Sequence, residues 1–567
     1  VKRAPARPRE RAAPRRTARG AWPLVAVLLA LHFALAAWVA TRNSVTFDEN
    51  FHLSAGAVAL ARADFHTSYA QPPLARELAA VAALAAGARL PERSVESTAN
   101  ELRLAEAFMR ANADCYQRIF VAARLVTALL STLLGFMIWR LARRWYGERA
   151  GLVALLAWTL SPEALAHGSV VGVDIPTALA TFGAAIAALA WLRTGRWRRW
   201  AACAAWVAAA FLVRFSAVQL FPTFVVLALV LAWRGRLASV PRTLAGLALL
   251  GVVAGLAVHV GYYFQGTLSP LAGPAWLSER FQSLAHRWPH LRVPLPSSYV
   301  DGLDYLSYLA QPGLKLSYFL GHARDAHDWR YFPVAILVKW PLGLLALLAL
   351  AIAYRVRGRG ARLDRELALL VPAGAVLITA VATNLDYGIR YLLPALPFLC
   401  VWMSAPAAEA VRKHGVRRWA AAALVLVLLE GVESVAALPY PLAFFNVFAG
   451  GRGGGDRIVN DSNVDWGQGL IALRDELRKR GTNRVQLVYH GTTDPALYGL
   501  DYVPFFSGPL DSTVQYFAVS SYFMVGLPAR LMLKTGPTEM RRYDFSALAQ
   551  RQPDARPAGC MYLYKVR

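Results

Sequence analysis

Thr46-Phe47-Asp48-Glu49-Asn50-Phe51-His52 sets two adjacent carboxylates directly after an apolar block. A carboxylate within hydrogen-bond reach of a hydroxyl can take its proton as a new bond forms. The commoner role of such a pair is a helix cap: Asp48 and Glu49 would stabilise the exposed amides of a helix starting at Asn50. Adjacent residues on a helix need not point the same way, so the two need not serve one proton. Four cations, Arg76, Arg214, Lys339 and Arg390, stand near the ends of other apolar blocks. Fixed cations stabilise a growing negative charge, and arginine's planar fork matches phosphate. The alternative for each is an interfacial anchor that snorkels to lipid headgroups. Asp174, two residues before Pro176, fits a helix start. It also fits a carboxylate that positions a cation or binds an acceptor.

The elements that must position these residues are apolar blocks. The chain has 567 residues, 56% hydrophobic and only 17% charged, with a mean hydropathy of +0.36. Soluble domains run nearer ~25% charged. Ala21–Ala40, Thr243–Phe264 and Tyr331–Tyr354 are nearly free of charge over the ~20 residues a helix needs to cross a bilayer. The first block has a basic flank but no small-residue cleavage site, so it reads as an uncleaved first span. The net charge of +26 sits in short clusters between blocks, which is a topology signal and not a phosphate-tracking groove. No nucleic-acid partner is expected.

Basic residues favour the cytoplasmic side. Arg3 to Arg19 start the chain inside. Later clusters are Arg140/Arg143/Arg144/Arg149, Arg193/Arg196/Arg198/Arg199, Arg234/Arg236/Arg242, Arg355/Arg357/Arg359/Arg362 and Arg412/Lys413/Arg417/Arg418. Each follows an even number of apolar blocks, and one miscounted span would invert that parity. The expectation is an α-helical polytopic membrane protein of about 11 transmembrane helices. They lie near 21–41, 117–139, 150–166, 176–192, 200–214, 217–233, 243–264, 331–354, 366–383, 391–410 and 419–438. Residues 1–20 form a basic cytoplasmic tail and 21–438 the membrane module.

Outside loops are expected at 42–116 and 265–330, and 439–567 reads as a small extracytoplasmic α/β domain. Phe51–Ala63 and Pro73–Ala86 are amphipathic and suit a position along the membrane surface. Val485–His490, Val514–Ser520 and Cys560–Val566 read as strands and Gly469–Arg480 as a helix. Cys203 and Cys400 read as small core residues. Cys115 and Cys560 are the one pair outside the blocks, and whether they bond is left open.

Beyond Asp48-Glu49 come Gly56, Asp64-Phe65 and Gln71-Pro72-Pro73-Leu74-Ala75-Arg76. This stretch resembles the first extracytoplasmic loop of the protein O-mannosyltransferase family and its bacterial relatives in the glycosyltransferase C superfamily, the aminoarabinose transferases among them. Gln71 stands where that pattern has His, and Arg76 where it has Lys. Ser161-Pro162-Glu163, Gly172-Val173-Asp174-Ile175-Pro176, Tyr331-Phe332-Pro333, Lys339-Trp340-Pro341 and Gly388-Ile389-Arg390-Tyr391-Leu392-Leu393-Pro394 look like further family motifs. So does Asp461-Ser462-Asn463-Val464-Asp465-Trp466-Gly467-Gln468.

The resemblance implies an inverting glycosyltransferase. It would move a sugar from a polyprenyl-phosphate donor to a hydroxyl of a protein, glycan or lipid, at the periplasmic face of a bacterial inner membrane. Asp48 is the implied catalytic base. Glu49, Arg76, Asp174, Lys339 and Arg390 are the implied substrate-binding residues, and no cofactor or metal is expected. His322, Asp325 and His327 lie close enough in sequence to bind an ion, but read better as loop polarity. Asp461–Gln468 reads as a turn leading into a helix, with a sugar platform on Trp466 as the alternative. The competing function is a multi-span lipid-linked sugar flippase or transporter. Such proteins usually place functional charge at the midplane and carry repeats, whereas here the charges cluster outside and no repeat is seen.

Overall fold

A computed structural model describes residues 21–92, 101–273, 275–311, 316–325, 327–357, 363–383, 386–408, 416–531, 539–541 and 543–566. The basic tail 1–20 and Arg359, Arg362, Arg412 and Lys413 lie outside the described residues.

The membrane module is built from helices. In chain order they begin with α1 (Trp22–Arg42), α2 (Phe47–Arg62), α3 (Leu74–Ala85), α4 (Glu101–Ala111), α5 (Tyr116–Tyr146) and α6 (Glu148–Thr159). Next come α7 (Pro162–Gly168), α8 (Asp174–Thr194), α9 (Trp197–Val213), α10 (Leu220–Trp233), α11 (Val240–Gly261), α12 (Glu279–Arg287) and α13 (Ser297–Leu309). Then follow α14 (Tyr331–Lys339), α15 (Leu342–Val356), α16 (Leu363–Ala382), α17 (Leu396–Met403) and α18 (Val416–Ala437). Among the described residues eight helices are long and apolar enough to cross a membrane, or nine if α14 and α15 form one bent span. The difference from eleven lies in α6 and α9, which are 12 and 17 residues long. They occupy the two spans that read as short in the sequence.

Lipid contact is written in exposure. α11 is the least buried of the candidate spans, and Leu244, Val252, Leu256 and Val260 stand exposed on it. In water such a surface would be a liability; in a bilayer it is the solvated face. α8 is the opposite case, enclosed over most of its length. Small residues let its neighbours close in: a Cβ on Gly183 would meet the Trp206 ring at 2.4 Å. Asp174 opens α8 and Arg193 lies in its last turn. At ~1.5 Å per residue they are ~28 Å apart, about one hydrocarbon thickness. Arg193 and Arg236 both pair with Asp364, so the basic belt gathers at the end of the bundle away from Asp174. This is the polarity that charge parity implies.

α14 and α15 meet at 111°. Pro341 has no N–H to continue the helix and pushes Trp340 into an extended conformation. The amide of Leu342 is satisfied sideways, by Glu433 on α18 at 2.6 Å. The bend carries Lys339 into the interior.

The expectation that Phe51–Ala63 lies along the membrane surface is overturned. Residues Glu49 to Ala59 of α2 are all buried, packed by α3 and α4. Gly56 permits this: a Cβ there would lie 2.4 Å from the Arg76 carbonyl oxygen.

The C-terminal region adds a helix, α19 (Leu470–Lys479), and a four-stranded sheet. Its strands are β3 (Arg484–Val488), β4 (Asp501–Pro504), β5 (Tyr516–Ser520) and β8 (Met561–Lys565), in the order β4-β3-β5-β8. β3 runs parallel to β4 and β5, and β8 is antiparallel to β5. Two hairpins complete the set, β1 (Ser317–Phe319) with β2 (His322–Arg324) and β6 (Ala529–Leu531) with β7 (Glu539–Arg541). The three strands and the helix expected from sequence are present, and β4 is the strand that went unread. All four cysteines are buried free thiols, so Cys115 and Cys560 do not pair.

Candidate active site

The site begins with the start of α2. Glu49 reaches back to accept from the Thr46 amide at 2.8 Å, the reciprocal bond of a capping box. The same carboxylate accepts from Arg124 on α5 at 2.7 and 2.6 Å and from the Val171 amide at 2.7 Å. Arg124 spends its other donors on the carbonyls of Ala40, Asn43 and Ser44. Both side chains are buried. Arg124 thus staples the end of α1 to the start of α2 through Glu49, which keeps no open side for an acceptor. The cap reading holds for Glu49, with the helix opening at Phe47 and not Asn50.

Asp48, the next residue round the helix, points elsewhere. Its carboxylate accepts from Arg390 at 3.0 Å and its side chain stays 29% exposed. The same Arg390 nitrogen lies 4.0 Å from Asp174, which also receives Arg214 at 2.7 Å. Arg390 lies over the Trp466 ring and Arg214 over the Tyr391 ring, at 4.3 and 4.7 Å. Behind Asp174 a line of polar groups continues inward: His167 at 3.8 Å, then Glu163, 3.5 Å from His167, and Lys339, 3.5 Å from Glu163. Lys339 also donates to the carbonyls of Leu442 and Asn463, both at 2.8 Å. It is enclosed among these three partners and does not reach the rim where Asp48 stands.

His52 lies one turn after Asp48 and is buried. Asp48, Arg76, Arg390 and Asp174 all act on it electrostatically, and burial is the largest influence, lowering its pKa to about 4. It is therefore a neutral imidazole near pH 7. Arg76, on α3, donates to the Ser68 hydroxyl and to the carbonyls of Ser68 and Gln71. Its Nε, His52 Nδ1, Arg390 Nε and both amide atoms of Asn50 are buried without a hydrogen-bond partner in the protein. Buried polar groups are nearly always satisfied, so this concentration leaves hydrogen-bonding capacity that a bound ligand could use. Gln71 supplies its backbone to Arg76, and its side-chain oxygen is also buried without a partner.

Asp461–Gln468 does more than turn the chain. Asn463 accepts from the Ile389 amide at 3.0 Å, fixing the 3-10 turn that carries Arg390. Gly388 has a φ of 140°, and a Cβ there would meet Ser462 Oγ at 2.5 Å. Trp466 supports Arg390 with its ring and accepts from the Phe47 amide with its carbonyl, at 2.7 Å. Ser44 donates to Gly467 and Gln468. The expected turn is there, and it holds both members of the Asp48–Arg390 pair.

Asp465 sits inside that clamp, accepting from the Gly467 amide at 2.9 Å and from the Ser520 hydroxyl. Burial pushes its carboxyl up to about 7, against ~3.9 in an unfolded chain. The folded state therefore binds more protons between these values. The stability Asp465 contributes is fully present below pH ~4 and is lost as pH rises through about 7. Thermal unfolding of the detergent-solubilised chain from pH 4.5 to 8 is expected to show that decline, and Asp465→Asn to flatten it. Parallel pH profiles for the two proteins would refute the assignment.

Among the described residues no group of three His, Cys, Asp or Glu is placed to hold a metal ion. His327 pairs with Asp386 at 2.9 Å, and Asp304 accepts from Leu277 and Ser278.

Sequence reasoning singled out Asp48, Glu49, Arg76, Asp174, Lys339 and Arg390. The structure gathers Asp48, Arg390 and Asp174 at one point, with Arg76 close by through His52. It sets Glu49 and Lys339 behind them. Arg214 pairs with Asp174 and is no lipid anchor. Arg124, His52 and His167 were missed. An arginine inside an apolar span was the available signal for Arg124.

Residues 107–293 match the model of a family described as dolichyl-phosphate-mannose-protein mannosyltransferase. That stretch carries Arg124, Asp174 and Arg214. A search of curated proteins gives no match. Among solved structures the chain is similar to ArnT from Cupriavidus metallidurans bound to undecaprenyl phosphate, with 13% identity over 95% of this chain and 97% of that one, at a TM-score of 0.47. It is also similar to the Archaeoglobus fulgidus oligosaccharyltransferase tethered with an acceptor peptide, with 11% identity over 74% of this chain and 55% of that one, at a TM-score of 0.39. The family match covers 187 of the 567 residues, so it likens a third of the chain to that family.

Proposed function

We propose that this protein moves a sugar from a polyprenyl-phosphate donor to an acceptor hydroxyl, with inversion, at the periplasmic face of a bacterial inner membrane. The observation that carries the reading is the Asp48–Arg390 pair at the rim of a buried charged cluster. Asp48 takes the acceptor's proton. The acceptor oxygen forms its bond to the anomeric carbon from the face opposite the phosphate. The bond from that carbon to the phosphate oxygen breaks, and the polyprenyl phosphate leaves with the electron pair. One displacement inverts the configuration.

Arg390 lies between Asp48 and Asp174, Arg214 also pairs with Asp174, and Arg76 stands beside a neutral His52 with Glu101 and Glu77 as its own charged neighbours. Fixed guanidinium groups so placed suit an anionic leaving group in a partly dehydrated site. Asp174 positions Arg390 and Arg214. Glu49 and Lys339 act as positioning residues, because their polar atoms are taken by the protein.

The test is purified full-length protein with synthetic polyprenyl-phosphate mannose, glucose and aminoarabinose, and a pool of hydroxyl acceptors. Transfer with an inverted anomeric centre, read by NMR, is expected. Movement of the lipid across proteoliposomes without any transfer would instead establish the flippase.

A further inference from the structure

A second concavity lies outside the charged cluster. It is a cleft of about 530 Å³ between α4 and the C-terminal sheet, within the ~300–1,000 Å³ range of small-ligand sites. Its sheet-side wall is formed where β3 and β4 end and by residues that follow β5. In open α/β sheets the carboxyl ends of parallel strands are the usual place for a ligand. We propose that this cleft is the acceptor subsite and that it binds an uncharged saccharide. The proposal rests on the glycosyl-transfer reading above for the word acceptor, and on the cleft itself for the ligand.

Three observations favour a saccharide. Flat rings line the cleft, Tyr489 and Tyr502 half-buried and Phe506 exposed at its edge. Aromatic faces of this kind offer the apolar plane on which the C–H face of a pyranose stacks. The lining also holds Glu106, Arg110 and Asp494. Arg110 pairs with Glu106 at 3.7 Å and Asp494 accepts from the Ala496 amide, and each has further hydrogen-bonding capacity for sugar hydroxyls. Two carboxylates against one guanidinium disfavour a phosphorylated or acidic ligand. An extended peptide is a poorer fit. Adding a strand to the β4 edge meets a strand of four residues that ends on Pro504, which has no N–H to donate.

The cleft is joined to the reacting centre by one short segment. His490 stacks on Phe47, the residue before Asp48, at 5.3 Å, and on Tyr522 at 3.8 Å. Thr492, in the cleft wall, donates to the Phe47 carbonyl at 3.2 Å. The cleft wall at Thr492 therefore touches the first turn of α2. The location also explains why the sheet is built against α4 of the first outside loop: the Asp494 amide meets Met109 there.

The experiment is saturation-transfer NMR on the full-length protein in detergent, without donor. The probes are neutral tetrasaccharides of mannose, glucose and N-acetylglucosamine, and a serine/threonine-rich peptide. At least one tetrasaccharide is expected to bind. Phe506→Ala and the near-isosteric Glu106→Gln are each expected to weaken it about tenfold, with melting temperature unchanged. Binding of the peptide alone, of nothing, or of a tetrasaccharide equally by wild type and both variants overturns the proposal. The two readings fail separately. Donor-dependent transfer without saccharide binding here would leave glycosyl transfer standing and remove the subsite. Saccharide binding without transfer from any polyprenyl-phosphate sugar would do the reverse.

Discussion

Asp48→Asn is expected to lower sugar transfer by ~10²–10⁴-fold, the usual contribution of a positioned base, with the protein still folded. The amide has nearly the carboxylate's shape, and its oxygen can still accept from Arg390. What it loses is the ability to take a proton. The side chain is 29% exposed, so removing its charge leaves no deeply buried arginine stranded; Arg390 still has Asp174 at 4.0 Å. The melting temperature should therefore stay close to wild type. Donor binding, read with polyprenyl phosphate as a competitor, should also stay within about tenfold. A variant that transfers at a third or more of the wild-type rate would remove Asp48 from the role of base.

How much of this was legible depends on what kind of signal each residue leaves. Charge clusters leave a one-dimensional record, because a basic loop resists translocation wherever its neighbours fold. Hence parity alone separates Arg193 from Asp174, and the structure puts them at opposite ends of α8. Asp48 and Arg390 are 342 positions apart, and no spacing rule connects them. They were brought under one hypothesis by order of motifs, and only the fold shows the 3.0 Å contact. Glu49 shows the converse failure. In sequence it is indistinguishable in kind from Asp48. A rotation of ~100° on the helix sends it to Arg124, where it becomes part of the frame. α2 was misplaced for a related reason: its polar residues looked solvated in one dimension, yet Glu49, Asn50, His52 and Ser54 are all buried. A polar residue inside a protein and one facing water leave the same letter.

The frame itself makes the second large prediction. Arg124→Gln is expected to destabilise the protein by ~3–5 kcal/mol, the cost of stripping one partner from a buried ion pair. The Glu49 carboxylate would keep the amides of Thr46 and Val171 but lose its two charged bonds. Three carbonyls at the end of α1 would lose their donors as well. Chemical denaturation in detergent micelles measures this, and a double-mutant cycle with Glu49→Gln separates the pair from the carbonyl contacts. The double variant should recover part of the loss, since two neutral amides strand no charge. Activity should fall in step with the folded fraction, unlike Asp48→Asn, which should be folded and inactive. An Arg124→Gln protein as stable as wild type, yet inactive, would move Arg124 out of the frame and into the chemistry. These neighbouring carboxylates differ in setting: one, at 29% exposure, is open to the proton transfer proposed for it, and the next, fully enclosed, holds the start of α2 in place.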